Sequence, residues 1–150
     1  MLKERILALD VGQVRIGIAV SDLLGITANG VETYTRKGDD LVDAQYICKV
    51  AASYAPVKLL FGLPRNMNGT YGPQAEKIRS FAAVVAEQFG GEIEFYDERL
   101  TTAAATRVLL EADMSRKKRK KVVDKMAAVL ILQGYLDYTA NQAARRQLDE

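Results

Sequence analysis

Acidic residues stand at three places where a carboxylate needs an explanation. Asp10 ends the apolar run ILALD, the pair Asp97–Glu98 ends the predicted strand EIEFYDER, and Asp124 interrupts the apolar stretch VVDKMAAVLIL. A buried carboxylate is costly unless it is paired, hydrogen-bonded or bound to a metal. The chain contains no histidine and one cysteine, Cys48, which excludes Ser-His-Asp and Cys-His catalysis and zinc held by histidine. Carboxylate oxygens instead favour a hard divalent cation such as Mg²⁺ or Mn²⁺.

Asp124 carries the strongest of these signals. On a helix it shares a face with Ala127 and Ala128, at the spacing of a core-facing stripe. Small alanines there let the helix approach the sheet closely, so Asp124 would come near the strand ends. The alternative of three unrelated surface acids fits this residue poorly. Two metal ions about 3.5–4 Å apart activate water and stabilise the leaving oxygen of a phosphodiester, which is chemistry that needs no histidine.

Five strands and four helices are predicted to position the acids. The pattern favours strands over 5–12, 15–22, 26–36, 57–64 and 92–99, since apolar residues alternate or run together there. Helices are predicted over 39–55, with an apolar stripe that starts at Leu41, and over 73–89, 101–112 and 121–138. This order predicts an α/β fold: a five-stranded mixed sheet, three strands antiparallel and two parallel, with helices on both faces. Ligands bind at the carboxyl ends of parallel strands, where Asp10 and the pair Asp97–Glu98 fall.

The totals predict an ordinary globular protein, with 49% hydrophobic and 27% charged residues and a net charge of +2. A single cysteine excludes a disulfide framework and fits a reducing compartment. The start MLKERILALD lacks a signal-peptide pattern, and the apolar stretch MAAVLILQGYL is shorter than the ~20 residues that cross a bilayer. We therefore expect a cytoplasmic protein with no membrane partner.

Substrate binding is predicted from one charge block and one loop. Six consecutive basic residues, 116–121, precede Asp124. Cations oppose the macrodipole at a helix start, so the block favours a nucleic-acid footprint over a merely solvated face. The loop GLPRNMNGT precedes the helix that starts at Pro73, where backbone N–H groups suit a phosphate. The candidate substrate-binding residues are Arg15, Arg65, Asn68, Arg99, Lys117, Lys118, Arg119 and Lys120.

Four stretches together resemble the YqgF family of bacterial proteins, which are Holliday-junction-resolvase-like and associated with processing of the precursor of 16S ribosomal RNA. They are LALDVGQVRIGIAVSD, FGLPRNMNGTYGPQA, DERLTT and VDKMAAVLILQGYLD, and the resemblance as a whole covers the chain from Leu2 to about Tyr138. The resemblance implies a single ribonuclease H-like nuclease domain over residues 1–138, followed by a polar C-terminal tail over 139–150. It also implies that Asp10, Glu98 and Asp124 are catalytic and bind one or two Mg²⁺ or Mn²⁺ ions. The chain departs from the family at Val14, where lysine is frequent, and at Asn68, where many members carry an acid.

The leading hypothesis is therefore a metal-dependent endonuclease that processes the precursor of 16S ribosomal RNA during ribosome biogenesis. The first alternative keeps the chemistry and makes the substrate a four-way DNA junction, as for a Holliday junction resolvase. The second is a non-cutting RNA-binding factor in ribosome assembly, although three acids would repel phosphate without a metal. The expected partners are structured RNA, free or on the pre-ribosome, or branched DNA, and the chain would act as a monomer or homodimer.

Overall fold

Five strands form a mixed sheet at the centre of the protein: Arg5–Val11 (β1), Arg15–Ser21 (β2), Ala28–Thr35 (β3), Val57–Leu63 (β4) and Ile93–Asp97 (β5). Their order across the sheet is β3-β2-β1-β4-β5. The computed structural model describes residues 4–66, 68–97 and 116–149, with the backbone alone for 116–124 and 149. The antiparallel pairs are β1–β2 and β2–β3, and β4 and β5 run parallel to β1. This confirms the prediction of three antiparallel and two parallel strands.

Helices cover both faces of the sheet, as predicted. α1 (Asp40–Ser53) and α2 (Pro73–Phe89) pack on one face. On the other face lies α3 (Arg116–Asp149), which contains residues of the second core cluster. The predicted helix over 101–112 lies outside the described residues. No helix in the described ranges is long and apolar enough to cross a membrane.

The two faces of the sheet differ in the size of their side chains. Leu7, Leu9 and Val11 of β1 belong to the large core under α1 and α2. Ala8 alternates with them and packs with Ala128 on the α3 side. Because side chains alternate along a strand, Asp10 also faces α3. Small residues at this contact let α3 lie close to the sheet, as the alanine stripe predicts.

The helix ends follow local signals, with one exception. Asp39 caps α1, since its Oδ1 accepts the N–H of Leu41 at 2.9 Å. α2 starts at Pro73 and ends at Gly90, whose φ of +70° suits glycine. α3, however, begins at Arg116 and continues to Asp149, so the predicted span of 121–138 was wrong at both ends. The extra residues are rich in lysine, arginine, alanine and glutamine, which favour helix and include no proline or glycine.

The apolar stripe of α1 differs from its prediction at its first turn. Leu41 is 52% exposed, while Asp43 is completely buried. Ala44 and Ile47 face the core as predicted. Periodicity predicts that Leu41 is buried because leucine is apolar. In the structure Asp43 is buried instead, because its carboxylate has polar partners on β3 and on the loop that follows β3.

Candidate active site

Asp10 lies near the carboxyl end of β1. This strand is the central one of the sheet, with the antiparallel β2 on one side and the parallel β4 on the other. Its residue is 9% exposed, and its register partner on β2 is Gly17, which in turn pairs with Thr33 of β3. Glycine carries no side chain, so β2 places no side chain directly opposite Asp10 at this register position. Parallel strands place such a residue at the edge where ligands bind. Asp10 therefore lies at the edge of the sheet where the sequence predicts it, and its role as a metal ligand stays a prediction.

The turn that follows Asp10 is held by several hydrogen bonds. The N–H of Gly12 donates to the carbonyl of Arg15 at 2.8 Å, and the N–H of Arg36 donates to the carbonyl of Val14 at 2.8 Å. Arg36 Nη1 adds a bond to the Gly12 carbonyl at 2.9 Å. A Cβ at Gly12 would lie 2.9 Å from the carbonyl oxygen of Arg15, so this close turn requires glycine. The backbone after Asp10 is therefore fixed from both sides.

A buried acid anchors the arginine that holds this turn. Asp43 accepts hydrogen bonds from Arg36 Nε at 2.9 Å, Tyr34 OH at 2.9 Å and the Lys37 N–H at 3.0 Å. Burial by itself would raise the pKa of Asp43, but the Lys37, Arg36 and Tyr34 hydrogen bonds outweigh it and lower that pKa. The sequence reasoning missed this network. Its one available signal was an acid next to Ala44 and four residues before Ile47, within an apolar stripe.

Arg15 begins β2 and, by strand alternation, projects to the α3 face like Ala19. Its Nε is buried and has no hydrogen-bond partner among the described residues. Arg15 and Asp10 therefore lie on the same face of neighbouring strands, near the same edge of the sheet. A guanidinium with a buried N–H that has no partner among the described residues is suited to donate a hydrogen bond to an anionic oxygen.

The other two predicted residues that are described, Arg65 and Asn68, lie in the loop between β4 and α2 and contact mainly that loop. Arg65 donates from Nε at 3.0 Å and Nη2 at 2.5 Å to the carbonyl of Gly69, and its Nη1 lies 3.6 Å from an Asp97 carboxylate oxygen. Asn68 Oδ1 accepts the N–H of Thr70 at 3.1 Å and its hydroxyl at 2.6 Å. These two residues therefore shape the loop, whatever else they bind.

The remaining candidate residues are described in part or not at all. Glu98 and Arg99 lie outside the described residues, directly after Asp97, the last residue of β5. Residues 117–120 and Asp124 lie on the helical backbone of α3. Position 124 is one turn before Ala127 and Ala128, which are 2% and 0% exposed against the sheet. Among the side chains that the structure describes, no group of three or more acids or cysteines could hold a metal ion.

The contacts of Lys125, the next residue along α3, show where position 124 lies relative to the sheet. A Cβ on Gly30 of β3 would lie 3.0 Å from Cδ of Lys125, so this turn of α3 crosses directly over β3. Gln133, two turns further on, accepts the N–H of Ala28 at the start of the same strand at 3.1 Å. Moving from residue 133 to residue 125 along α3 therefore leads from the start of β3 toward its end. The end of β3 lies beside the start of β2, and the start of β2 lies beside the end of β1, where Asp10 is. Residue 125 is therefore nearer to the Asp10 edge of the sheet than residue 133 is.

Comparison with known proteins gives a family and a fold. Residues 4–138 match the family model described as "RuvX: Holliday junction resolvase". A protein of Clostridioides difficile is 53% identical over 141 residues, covering 94% of this chain and 99% of its own length. A protein of Heliobacterium modesticaldum is 50% identical over 146 residues, covering 97% of each. Both carry the name "Putative pre-16S rRNA nuclease".

Two solved structures share the arrangement of the sheet and helices. One is Thermus thermophilus RuvC in complex with a Holliday junction substrate, with a TM-score of 0.57 and 12% identity, covering 91% of this chain and 96% of that one. The other is Thermus thermophilus RuvC, with a TM-score of 0.54, 10% identity and the same coverage. At such low identity these structures establish the fold, which is ribonuclease H-like.

Proposed function

The chain belongs to the RuvX family, and on that basis we propose that it is a metal-dependent endonuclease that processes the precursor of 16S ribosomal RNA. Relatives with that assignment in their names are 50–53% identical over nearly their whole length. The observation in the structure that best supports a nuclease is the position of Asp10. It is nine-tenths buried at the carboxyl end of the central strand, on the face over which α3 carries position 124.

We assign the metal ligands to Asp10, Glu98 and Asp124. The donor set fits a hard cation, because all three residues offer carboxylate oxygens and the chain contains no histidine. One or two Mg²⁺ or Mn²⁺ ions bound there would supply charge stabilisation at the scissile phosphate. The rigid turn after Asp10 supports this role, since a ligand must be held in place to select its ion.

Two groups of basic residues would hold the nucleic acid. Arg15 shares the sheet face with Asp10, and its Nε, which has no hydrogen-bond partner among the described residues, would donate to a phosphate oxygen next to the reacting bond. Residues 117–120 lie two turns or less before Asp124 on α3, so a backbone attracted to them would pass the acids. These contacts orient the strand and carry no sequence information. The proposed partner is therefore a structured RNA, recognised mainly through its backbone.

A Holliday junction is the second candidate substrate, because the family model is described by that activity. Both substrates would use the same acids, so the site alone does not separate them. Purified protein should be incubated with a fragment of the 16S precursor and with a four-way DNA junction, in Mg²⁺, in Mn²⁺ and in chelator. Asp10→Asn tests the assigned acid, and Glu87→Gln provides the same chemical change at an exposed position on α2.

The expected result is cleavage of the RNA in Mg²⁺, which Asp10→Asn abolishes and Glu87→Gln retains. Asp10→Asn should still bind RNA, since it removes a negative charge beside the phosphates. Cleavage of the junction alone would favour the resolvase. Equal cleavage by wild type and Asp10→Asn would refute the assignment of Asp10, and cleavage of neither substrate would favour a non-cutting assembly factor.

A further inference from the structure

Tyr71 lies against two arginine side chains at the surface of the loop between β4 and α2. The guanidinium carbon of Arg65 is 4.6 Å from the centroid of the Tyr71 ring, and that of Arg79 is 4.1 Å from it. Tyr71 is 38% exposed, and the Arg79 side chain is 40% exposed. A stack of planar groups therefore reaches solvent. Most aromatic rings that stack in this protein do so in or beside the core, as Tyr34 does with Tyr46.

Hydrogen bonds hold the described residues of the loop that presents Tyr71. The N–H of Asn66 donates to the carbonyl of Thr70 at 2.8 Å, and the N–H of Gly69 donates to the carbonyl of Asn66 at 2.9 Å. Gly69 has a φ of +86°, in the left-handed region that favours glycine. Arg65 closes the loop through its two bonds to Gly69. A ligand on Tyr71 would therefore lose little affinity to the ordering of this loop.

The two arginines differ in how many of their N–H groups remain available to a ligand. Arg65 uses its N–H groups on Gly69 and Asp97, so it supports the loop. Arg79 makes one hydrogen bond among the described residues, from Nη1 to Glu76 at 3.0 Å, and the Glu76 side chain is 65% exposed. Such an exposed pair is worth little and is easily exchanged. Arg79 therefore offers both a planar face and N–H donors to a ligand.

This cluster lies at the same edge of the sheet as Asp10. β4 pairs with β1 in parallel, with Phe61 level with Leu9. The loop leaves β4 after Leu63, and Gln74 at the start of α2 donates to the carbonyl of Val11 at 3.4 Å. A nucleic-acid strand that crosses the edge at Asp10 would continue over this loop.

We propose that Tyr71 and Arg79 form a platform for an unpaired nucleotide of the substrate, and this inference rests on the proposed nucleic-acid function. A base stacks on the exposed part of the Tyr71–Arg79 pair, and an Arg79 N–H donates to a flanking phosphate. A paired base has both faces covered by its neighbours in the helix, so the platform selects a single-stranded segment. The platform would thus favour a substrate with an unpaired flank beside the bond that is cut.

A fluorescent reporter can test this contact directly, because the chain contains no tryptophan. Tyr71→Trp places a single indole on the platform, and a stacked base should quench its emission. The matched control is Tyr54→Trp. Tyr54 also lies under an arginine, with the Arg5 guanidinium 5.1 Å from its ring, but at the opposite edge of the sheet, where β1 begins. Titrations use a single-stranded RNA, a DNA of the same sequence and an RNA duplex, all in chelator so that no cleavage occurs.

We expect saturable quenching of Tyr71→Trp by the single strands, little by the duplex, and none of Tyr54→Trp. In fluorescence anisotropy with labelled RNA, Tyr71→Ala should bind about 5- to 150-fold more weakly, the range for loss of one stacked base. Tyr71→Phe should keep most of the affinity, and Arg79→Gln should lose more than Arg79→Lys. Circular dichroism confirms that each variant is folded.

Three results would overturn the platform: RNA binding without quenching at position 71, affinity that Tyr71→Ala leaves unchanged, or no binding of single strands at all. If the single-stranded DNA quenched Tyr71→Trp and the single-stranded RNA did not, the bound nucleotide would be a deoxynucleotide. The precursor of 16S ribosomal RNA would then lose support as the substrate. If quenching and the loss in Tyr71→Ala occur but wild type cuts nothing, the platform stands and the proposed nuclease activity fails.

Discussion

Replacing Asp43 by asparagine tests whether the buried network behind the β1–β2 turn stabilises the fold. Asp43 is completely buried, and it accepts from Tyr34 and the Lys37 N–H through Oδ1 and from Arg36 through Oδ2. Asn at this position can keep the two bonds to Oδ1. Its amide group would then face Arg36 Nε, so that two donors oppose each other and the charge of the arginine loses its buried partner.

The expected cost is about 3 kcal/mol. Breaking a buried ion pair by removing one partner costs roughly 3–5 kcal/mol. We take the lower end because Arg36 keeps two other partners, Asp40 at 2.7 Å and the Gly12 carbonyl at 2.9 Å. For a chain of this size, about 3 kcal/mol corresponds to a fall in Tm of roughly 6–12 °C.

Urea unfolding followed by circular dichroism measures this loss. Asp40→Asn is the matched control, because Asp40 binds the same arginine from the same helix but its side chain is 53% exposed. An exposed pair contributes about 0.2–1 kcal/mol. Equal losses in the two variants would refute the argument from burial, and so would a loss below about 1 kcal/mol for Asp43→Asn.

The pH dependence gives an independent check. The hydrogen bonds lower the pKa of Asp43 in the folded protein below its ordinary value of 3.8. Its stabilisation is therefore complete above that value and is lost as the pH falls through the folded pKa. The gap in stability between wild type and Asp43→Asn should be widest near neutral pH and should narrow below about pH 4. A gap that stayed constant to pH 2.5 would contradict the assignment.

Three further predictions concern other parts of the molecule. Replacing residues 117–120 by glutamine should weaken RNA binding. The slope of the logarithm of the binding constant against the logarithm of the salt concentration should fall by up to about 3, because each phosphate contact on a single strand contributes about 0.7. An unchanged slope in anisotropy titrations would exclude these residues as phosphate contacts. Tyr135→Phe removes a hydroxyl that accepts from Lys58 at 2.7 Å and should cost about 1.5 kcal/mol in urea unfolding, whereas no change would mean that the bond is not formed in solution. Gly69→Ala should cost about 1–2 kcal/mol because φ is +86°, while Gly72→Ala, at a φ of −92°, should cost far less; equal Tm values would contradict the strain.

Local patterns were sufficient for the five strands, for two of the helices and for the position of Asp10 at the end of its strand. Alternation in β2 predicted that Ile16 and Ile18 share a face, and both lie in the large core. The stripe of α2 and its start at Pro73 were also predicted. Asp10 was selected because an acid that ends an apolar strand is unusual, and it lies at the predicted edge. These features depend on neighbours along the chain, which the sequence displays.

Local patterns misled where they gave only the average preference of a residue. Leu41 fits an apolar stripe, yet it is exposed, and the acid two residues later is buried. The ends of α3 were placed at a change from polar to apolar residues. Polar residues that favour helix do not end one, so α3 extends beyond the apolar segment in both directions.

The sequence by itself determined the mixed α/β composition of the chain, the faces of its strands and the carboxylate chemistry open to it without histidine. Only the tertiary structure decided which side chains meet. Arg36 reaches the Gly12 carbonyl across 24 residues, and Lys58 meets Glu94 and Tyr135 across 36 and 77. The stack of Arg79 on Tyr71 likewise depends on how the loop returns to α2. The physical reason is that periodicity reports whether a side chain is buried, whereas the identity of its partner is set by the order and register of the strands.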